Sequence, residues 1–273
     1  MARSERSTSH GINENLSGAW LASLPTFLFI ALPFIGLVLA VHPKEWLNGI
    51  RSDTAQQALW LTLRTTSIST ALCFCFGMPA AYLLARTRFW GKEILDTLTD
   101  LPSTIPPVVA GVALLFAFGR YGLIGKYLTV AGITIGFTTT AVVMAQTFIA
   151  LPYFLKSARS GFESVDIKLE HTARLLGISR IKTFFSITLP LVRPAIVAGL
   201  VLAWARALSE FGATMMFAGS FPGRTQTLSL AVVSAMDSDT QTAVAISTLS
   251  VIFGVSALIA AKLILRAGGE SRA

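Results

Sequence analysis

Residues 65–85 read TTSISTALCFCFGMPAAYLLA, a run without a single Asp, Glu, Lys or Arg. A helix rises about 1.5 Å per residue, so ~20 apolar residues match a hydrocarbon core ~30 Å thick. This run is long enough to cross once. On either side of it, windows 15–41, 101–119, 127–155 and 240–261 lack the same four residue types. A sixth apolar stretch, roughly residues 194–219, is interrupted by Arg206 and Glu210. Lipid supplies no hydrogen bonds, so a spanning backbone must satisfy itself as helices or a closed barrel. Barrel strands alternate in polarity at every second residue, and these runs do not. The expected fold is an all-α membrane protein with six transmembrane helices.

The rest of the composition agrees. Of 273 residues, 53% are hydrophobic and only 13% charged, where soluble domains carry about 25% charge. Long apolar runs exclude a disordered or collagen-like chain, and two Cys exclude a disulfide scaffold. The first run has an apolar part over residues 20–41, longer than the ~7–15-residue core of a secretory signal, so a retained first span is expected. A net charge of +8 would suit a nucleic acid if the cations shared one folded face, but they fall between the runs. With the N-terminus in the cytoplasm, segments 1–20, 86–100, 156–193 and 262–273 lie inside and carry 15 of the 22 Lys and Arg. That asymmetry favours both termini cytoplasmic in a cell (inner) membrane, with lipid and no nucleic acid as partner. Trp20, Trp46, Trp60 and Trp90 lie near run ends, where amphipathic rings suit the interface. The expected division is a cytoplasmic tail over 1–20, one transmembrane domain over 21–262 and a second tail over 263–273.

Resident chemistry is sparse. Cys73 and Cys75, two apart on a helix, point in opposed directions, so core packing is expected rather than a disulfide or metal site. His10, His42 and His171 are scattered and form no ligand pattern with them. Gly91-Lys92 and Gly125-Lys126 lack the spacing and hydroxyl of a phosphate-binding loop. A GxxxG pair at Gly132 and Gly136 hints at helix contact only. No catalytic residue, metal or cofactor is expected, so uphill movement would draw on an ion gradient or on a partner.

Residues 156–193 form the longest of the inside segments and have their own helical pattern. Ser164 is placed to cap a helix starting at Val165, with Asp166 in its first turn, where the helix dipole favours an acid. Val165, Leu169, Ala173 and Leu176 recur as one apolar stripe. Glu170 precedes Arg174 in the favourable i,i+4 order, and Gly177 is placed to end the helix in a left-handed cap. Ser179 can start another helix, interrupted by Leu189-Pro190 and Arg193-Pro194. Pattern alone leaves two uses open: a helix lying on the membrane surface and a helix docking on a protein.

The run Glu170-His171-Thr172-Ala173-Arg174-Leu175-Leu176-Gly177, then nine residues, then Ile187-Thr188-Leu189-Pro190, resembles the EAA loop of binding-protein-dependent ABC importer permeases. That loop reads E-A-A, three residues, G, nine residues, I-x-L-P. Ala173, Gly177, Ile187, Leu189 and Pro190 match in register. His171 takes the place of the usual Glu and Thr172 that of the first Ala, while Glu170 sits one residue upstream. Residues 203–214, AWARALSEFGAT, are similar to the A-x-A-R-x-L-x-E-F-G-A-T run of molybdate, tungstate and sulfate permeases. Pro222-Gly223-x-Thr225-Gln226-Thr227 and the run from Ile105 to Gly111, IPPVVAG, look like the same branch. The resemblance covers roughly residues 60–262.

It implies the membrane-spanning subunit of an ATP-driven importer for a tetrahedral oxyanion, molybdate or tungstate first, then sulfate. It also implies a second permease copy (a homodimer in the molybdate branch, a heterodimer in the sulfate branch), a cytoplasmic ATPase dimer that binds the ATP, and an external oxyanion-binding protein. A short cytoplasmic coupling helix is then expected between spans 4 and 5, moving as a rigid lever. Its coupling residues would be Asp166, Glu170, His171, Ala173, Arg174, Gly177, Leu189 and Pro190, with Ala173 permitting close approach to the partner.

The interrupted sixth stretch offers a second candidate. Arg206 and Glu210 are i,i+4 in an apolar helix and can neutralise each other, either as a packing ion pair or as part of a pathway or gate. Arg64 reads as an interfacial anchor. Thr214, Ser209 and Thr138-Thr139-Thr140 can offer hydroxyls to an oxyanion, although such hydroxyls also serve their own backbone. The competing class is an ion-coupled secondary transporter. It would require inverted repeats and free titratable groups at mid-membrane; the one embedded acid, Glu210, already has Arg206.

Overall fold

The computed structural model describes residues 5–40 and 43–270; His42 and the extreme ends of both expected tails lie outside the described residues, as does the side chain of His10. Every described element is helical. In chain order these are α1 (Glu5–Leu39), α2 (Pro43–Arg51), α3 (Asp53–Arg86), α4 (Lys92–Thr104), α5 (Pro107–Phe118), α6 (Gly125–Val130) and α7 (Thr139–Ser164). Then come α8 (Ile167–Leu175), α9 (Arg180–Thr183), a π-helical turn (Phe184–Thr188), α10 (Leu189–Leu208), α11 (Gly212–Ala218), α12 (Leu228–Met236) and α13 (Thr240–Glu270).

The core is three long helices, with α7 packed between α3 and α10. Small residues let them close up. A Cβ at Gly77 would sit 2.5 Å from the ring of Phe154, and one at Gly161 would sit 2.4 Å from the Ala195 methyl. Close backbone approach of this kind replaces the hydrophobic drive that lipid removes. Cys73 is buried in this core as expected, whereas Cys75 faces outward; neither is bonded to the other. Hydroxyls on α3 form a buried polar seam. Thr62 donates to the Ala58 carbonyl and accepts from the Leu228 amide at 2.8 Å, and Ser69 donates to the Val143 carbonyl at 3.1 Å.

Four helical segments are long and apolar enough to cross a membrane, and α4 with α5 makes a fifth if the bent pair is one span. Two of the charge-free windows, and the interrupted sixth stretch, are not simple rods. Window 101–119 breaks at Ile105-Pro106-Pro107, where the two helices meet at 117°. The residue before a proline is disfavoured in the helical region, and here, before two consecutive prolines, Ile105 is extended. Window 127–155 is helical as a span only from Thr139: Gly132 and Phe137 both adopt positive φ, and Thr138 caps α7 by accepting from the Ala141 amide. Lack of charge did not mean continuity of helix. The sixth stretch divides at residues 209–211 into α10 and α11. Apolar residues of α13 over Thr240–Ser256 form a shorter segment, and the apolar window of α1, long enough to cross, is unburied by the rest of the chain.

At one end of the bundle α4 is tied to α7 by ion pairs. Lys156 reaches Asp100 at 3.1 Å, and Arg159 bridges Asp96 and Glu163. The connection from α7 through α8 and α9 to α10 lies at this same end.

Candidate functional site

The expected loop helix is present, with a different start. Ser164 closes α7 by donating to the Gly161 carbonyl, and Val165 is extended. Asp166 is the cap itself: its carboxylate accepts from the Lys168 amide at 2.9 Å, so α8 starts at Ile167. A carboxylate two residues later outcompeted the serine, in keeping with Asp as a strong N-cap. The other end is as expected. Gly177 has φ +82°, and the Ile178 amide reaches back to the Ala173 carbonyl at 3.0 Å. Nothing crowds a Cβ there, so glycine is required by conformation and not by space.

The predicted apolar stripe is only half buried. Val165 and Ala173 face the bundle, while Leu169 and Leu176 are 48% and 76% exposed, and Leu175 is 88% exposed. Ala173 is enclosed within its own chain, so it gives its close approach to the bundle and not to a partner. The outward face of α8 is thus Lys168, Thr172, Leu175 and Leu176, all exposed.

Glu170 holds the helix to the bundle. It does not pair side chain to side chain with Arg174, whose Nε instead donates to the Glu170 carbonyl. Its carboxylate lies 2.9 Å from Nη2 of Arg86 and accepts from the hydroxyls of Thr188, at 3.1 Å, and Tyr82, at 3.4 Å. One acid therefore joins α8 to the end of α3 and to the π turn. Beneath it Tyr82 packs edge-on against Phe162 and Phe184, with ring centroids 5.3 and 5.2 Å away. Asp166, His171, Arg174 and Gly177 are exposed, and Leu189 packs on the core. The expected interruption at Leu189-Pro190 is a widening instead. Proline has no N–H to give to the carbonyl four residues back, and the turn just before it relaxes to i→i−5 spacing, with Leu189 bonded to Phe184.

Arg86, Tyr82 and Thr188 were not singled out from the sequence. Tyr82 and Arg86 share a face of α3 at i,i+4, and Thr188 lies inside the I-T-L-P run. Those were the available signals.

The second group sits at the other end of α10, whose 20 residues place it about 30 Å away. Arg206 and Glu210 are paired at 2.9 Å as expected, but across a helix end and not within a continuous helix. The second Glu210 oxygen accepts from the Ala213 amide at 2.7 Å, so this buried acid caps α11 as well as neutralising Arg206. A Cβ at Gly111 would lie 2.6 Å from the Ala213 carbonyl, which shows how tightly α5 and α11 cross. The Thr214 hydroxyl is buried there without a hydrogen-bond partner. Ser209 donates to the Arg206 carbonyl, Thr138 is a cap and Thr139 donates to the Arg224 carbonyl, so these hydroxyls serve the backbone. Arg64 is exposed on α3. Among the described residues no cluster of His, Cys, Asp or Glu could hold a metal.

The geometry is thus an all-helical bundle with a short, outward-facing helix clamped to it by a buried acid. Residues 74–267 match the family described as binding-protein-dependent transport system inner membrane component, and the chain belongs to that family. Among its relatives is the molybdenum transport system permease protein ModB of Mycobacterium tuberculosis, 43% identical over 241 residues, covering 88% of this chain and 90% of that protein. The molybdate/tungstate transport system permease protein WtpB of Pyrococcus abyssi is 36% identical over 72% of this chain and 76% of its own length. The same fold occurs in a bacterial ABC transporter that imports alginate, with TM-score 0.74 and 16% identity over 96% of this chain and 98% of that one. The chain is thus a multi-pass transmembrane permease of an ABC importer.

Proposed function

We propose that this chain forms the translocation pathway for a tetrahedral oxyanion, molybdate or tungstate, in an importer driven by a cytoplasmic ATPase dimer. Relatives named for molybdenum and for molybdate/tungstate transport, at 43% and 36% identity, support the anion class. Two identical copies would enclose the pathway about a two-fold axis. The N-terminus lies inside; α1, α3, the bent α4–α5 pair, α7, α10 with α11, and α13 are the six spans. A loaded binding protein docks outside.

The Glu170 junction is the observation that carries the mechanism. Exposed Leu175 and Leu176 present α8 to the ATPase, while Glu170 ties its inner side to α3 and the start of α10. Movement of the ATPases would then be transmitted as a rigid displacement, with α10 carrying it to the capped break at Glu210. In free-energy terms the ATPase biases two states of the bundle by its different affinity for each.

The test is reconstitution with the ATPase and the cognate binding protein loaded with molybdate, tungstate or sulfate. Stimulation of ATP hydrolysis by the first two is expected. Stimulation by sulfate alone would move the chain to the sulfate branch, and transport by the purified chain without an ATPase would make it a secondary transporter.

A further inference from the structure

A cleft of about 650 Å³ opens between the end of α3, the inner side of α8 and the α9–π segment. Met78, Pro79 and Phe185 give it an apolar side. Its charged lining is Arg86, Arg174 and Arg180 against one acid, Glu170, which is already engaged. Nε of Arg86 is buried without a hydrogen-bond partner, and neither Arg174 nor Arg180 forms an ion pair among the described residues. From Met78 to Arg86 the helix advances about 12 Å. Over that distance the cleft changes from apolar to cationic, at the point where a span ends.

The cleft is separate from the outward face of α8. Ile167, Glu170, His171 and Arg174 line it at i, i+3, i+4 and i+7, one face of the helix. Leu169 and Thr172 occupy the opposite face, with Lys168 and Leu175 on the flank between, and none of these four lines the cleft.

We propose that this cleft binds an acidic phospholipid, with the phosphate on Arg86, Arg174 and Arg180 and the upper chain methylenes on Met78, Pro79 and Phe185. Guanidinium groups match phosphate oxygens in pairs, and basic pockets between helices at a membrane boundary select anionic headgroups. His171 fits the same logic. A glutamate at this position would set a second acid against the phosphate. A lipid held by α3, α8 and α9 together would steady the seat of α8. The proposal depends on the chain lying in a membrane and not on which anion it transports.

Native mass spectrometry of the full chain in detergent, titrated with phosphatidylglycerol or phosphatidylcholine, tests it. Phosphatidylglycerol should be retained and phosphatidylcholine released. Arg174→Ala with Arg180→Ala should weaken phosphatidylglycerol binding about 30-fold, the loss of two headgroup cations. The charge-matched Lys168→Ala with Lys182→Ala, whose side chains do not line the cleft, should bind as the parent does. Equal loss in both double variants, or equal retention of both lipids, would overturn the assignment. Displacement by equimolar inorganic phosphate would make it a free-anion site, and displacement by the docked ATPase would make it a protein contact; either result also refutes it.

Discussion

Glu170→Gln is the most informative single change. The amide oxygen can still accept from Thr188 while the amide N–H donates to the Tyr82 hydroxyl, so shape and neutral hydrogen bonds are largely kept. The lost element is the charge opposite Arg86, whose side chain is only 9% exposed. Removing one partner of a buried pair costs ~3–5 kcal/mol, because the other charge stays behind uncompensated. Nη2 of Arg86 lies 2.9 Å from the carboxylate without hydrogen-bond alignment, and its Nε has no partner, so the lower end of that range applies. About 3 kcal/mol corresponds to a rise of about 150-fold in the population of a detached α8. Hydrogen exchange of the α8 amides in the purified permease reads that population directly. Faster exchange should be confined to α8 and the π turn, and α7 should be unchanged. Adding Arg86→Met removes the stranded charge and should restore most of the protection, since an apolar replacement of a buried pair is often neutral. In the assembled importer the single variant should hydrolyse ATP with weakened dependence on the loaded binding protein. Unaltered α8 exchange in the single variant, or no recovery in the double, would refute the view that this ion pair seats the helix.

Other perturbations separate the remaining parts. Gly177→Val forces a β-branched residue to φ +82°, a strain of at least ~1–2 kcal/mol; ligand-stimulated ATP hydrolysis should fall while membrane assembly persists, as judged by co-purification of the complex. Thr214→Val removes a buried hydroxyl that has no partner, so thermal stability should hold or rise. Lost anion uptake by that stable variant would place the hydroxyl in the pathway, and normal uptake would confine it to packing.

Much of the architecture was legible because hydrocarbon imposes a length and forbids charge. The rule sees only composition, however. It treated Pro106-Pro107 and the turn around Gly132 and Phe137 as the interior of spans, because neither introduces a charged residue. Local chemistry was read well where it was local: Gly177 as a left-handed cap, and Ser179 as the start of α9, where it accepts from the Lys182 amide. Ser164 and Asp166 compete for the same cap within two residues, and pattern alone chose the wrong one. The partners of Glu170 were beyond reach. Arg86 lies 84 positions earlier, on another helix, and its charge first counted only toward orientation. Arg206 and Glu210 were found as a pair, but the helix end between them depends on the α11 cap.

The exposure of α1 outside the three-helix core has a consequence for how such chains vary. The apolar window Ala22–Leu39 is wholly unburied by the rest of the chain, whereas Gly77 and Gly161 sit where one added methyl would collide. Within the single chain that window meets a requirement for polarity but not for shape, so Phe, Leu, Ile and Val can exchange there with little effect on the fold of one copy. The three central helices have no such latitude. Drift should therefore accumulate at the amino-terminal span and stall along the α3–α7–α10 seam.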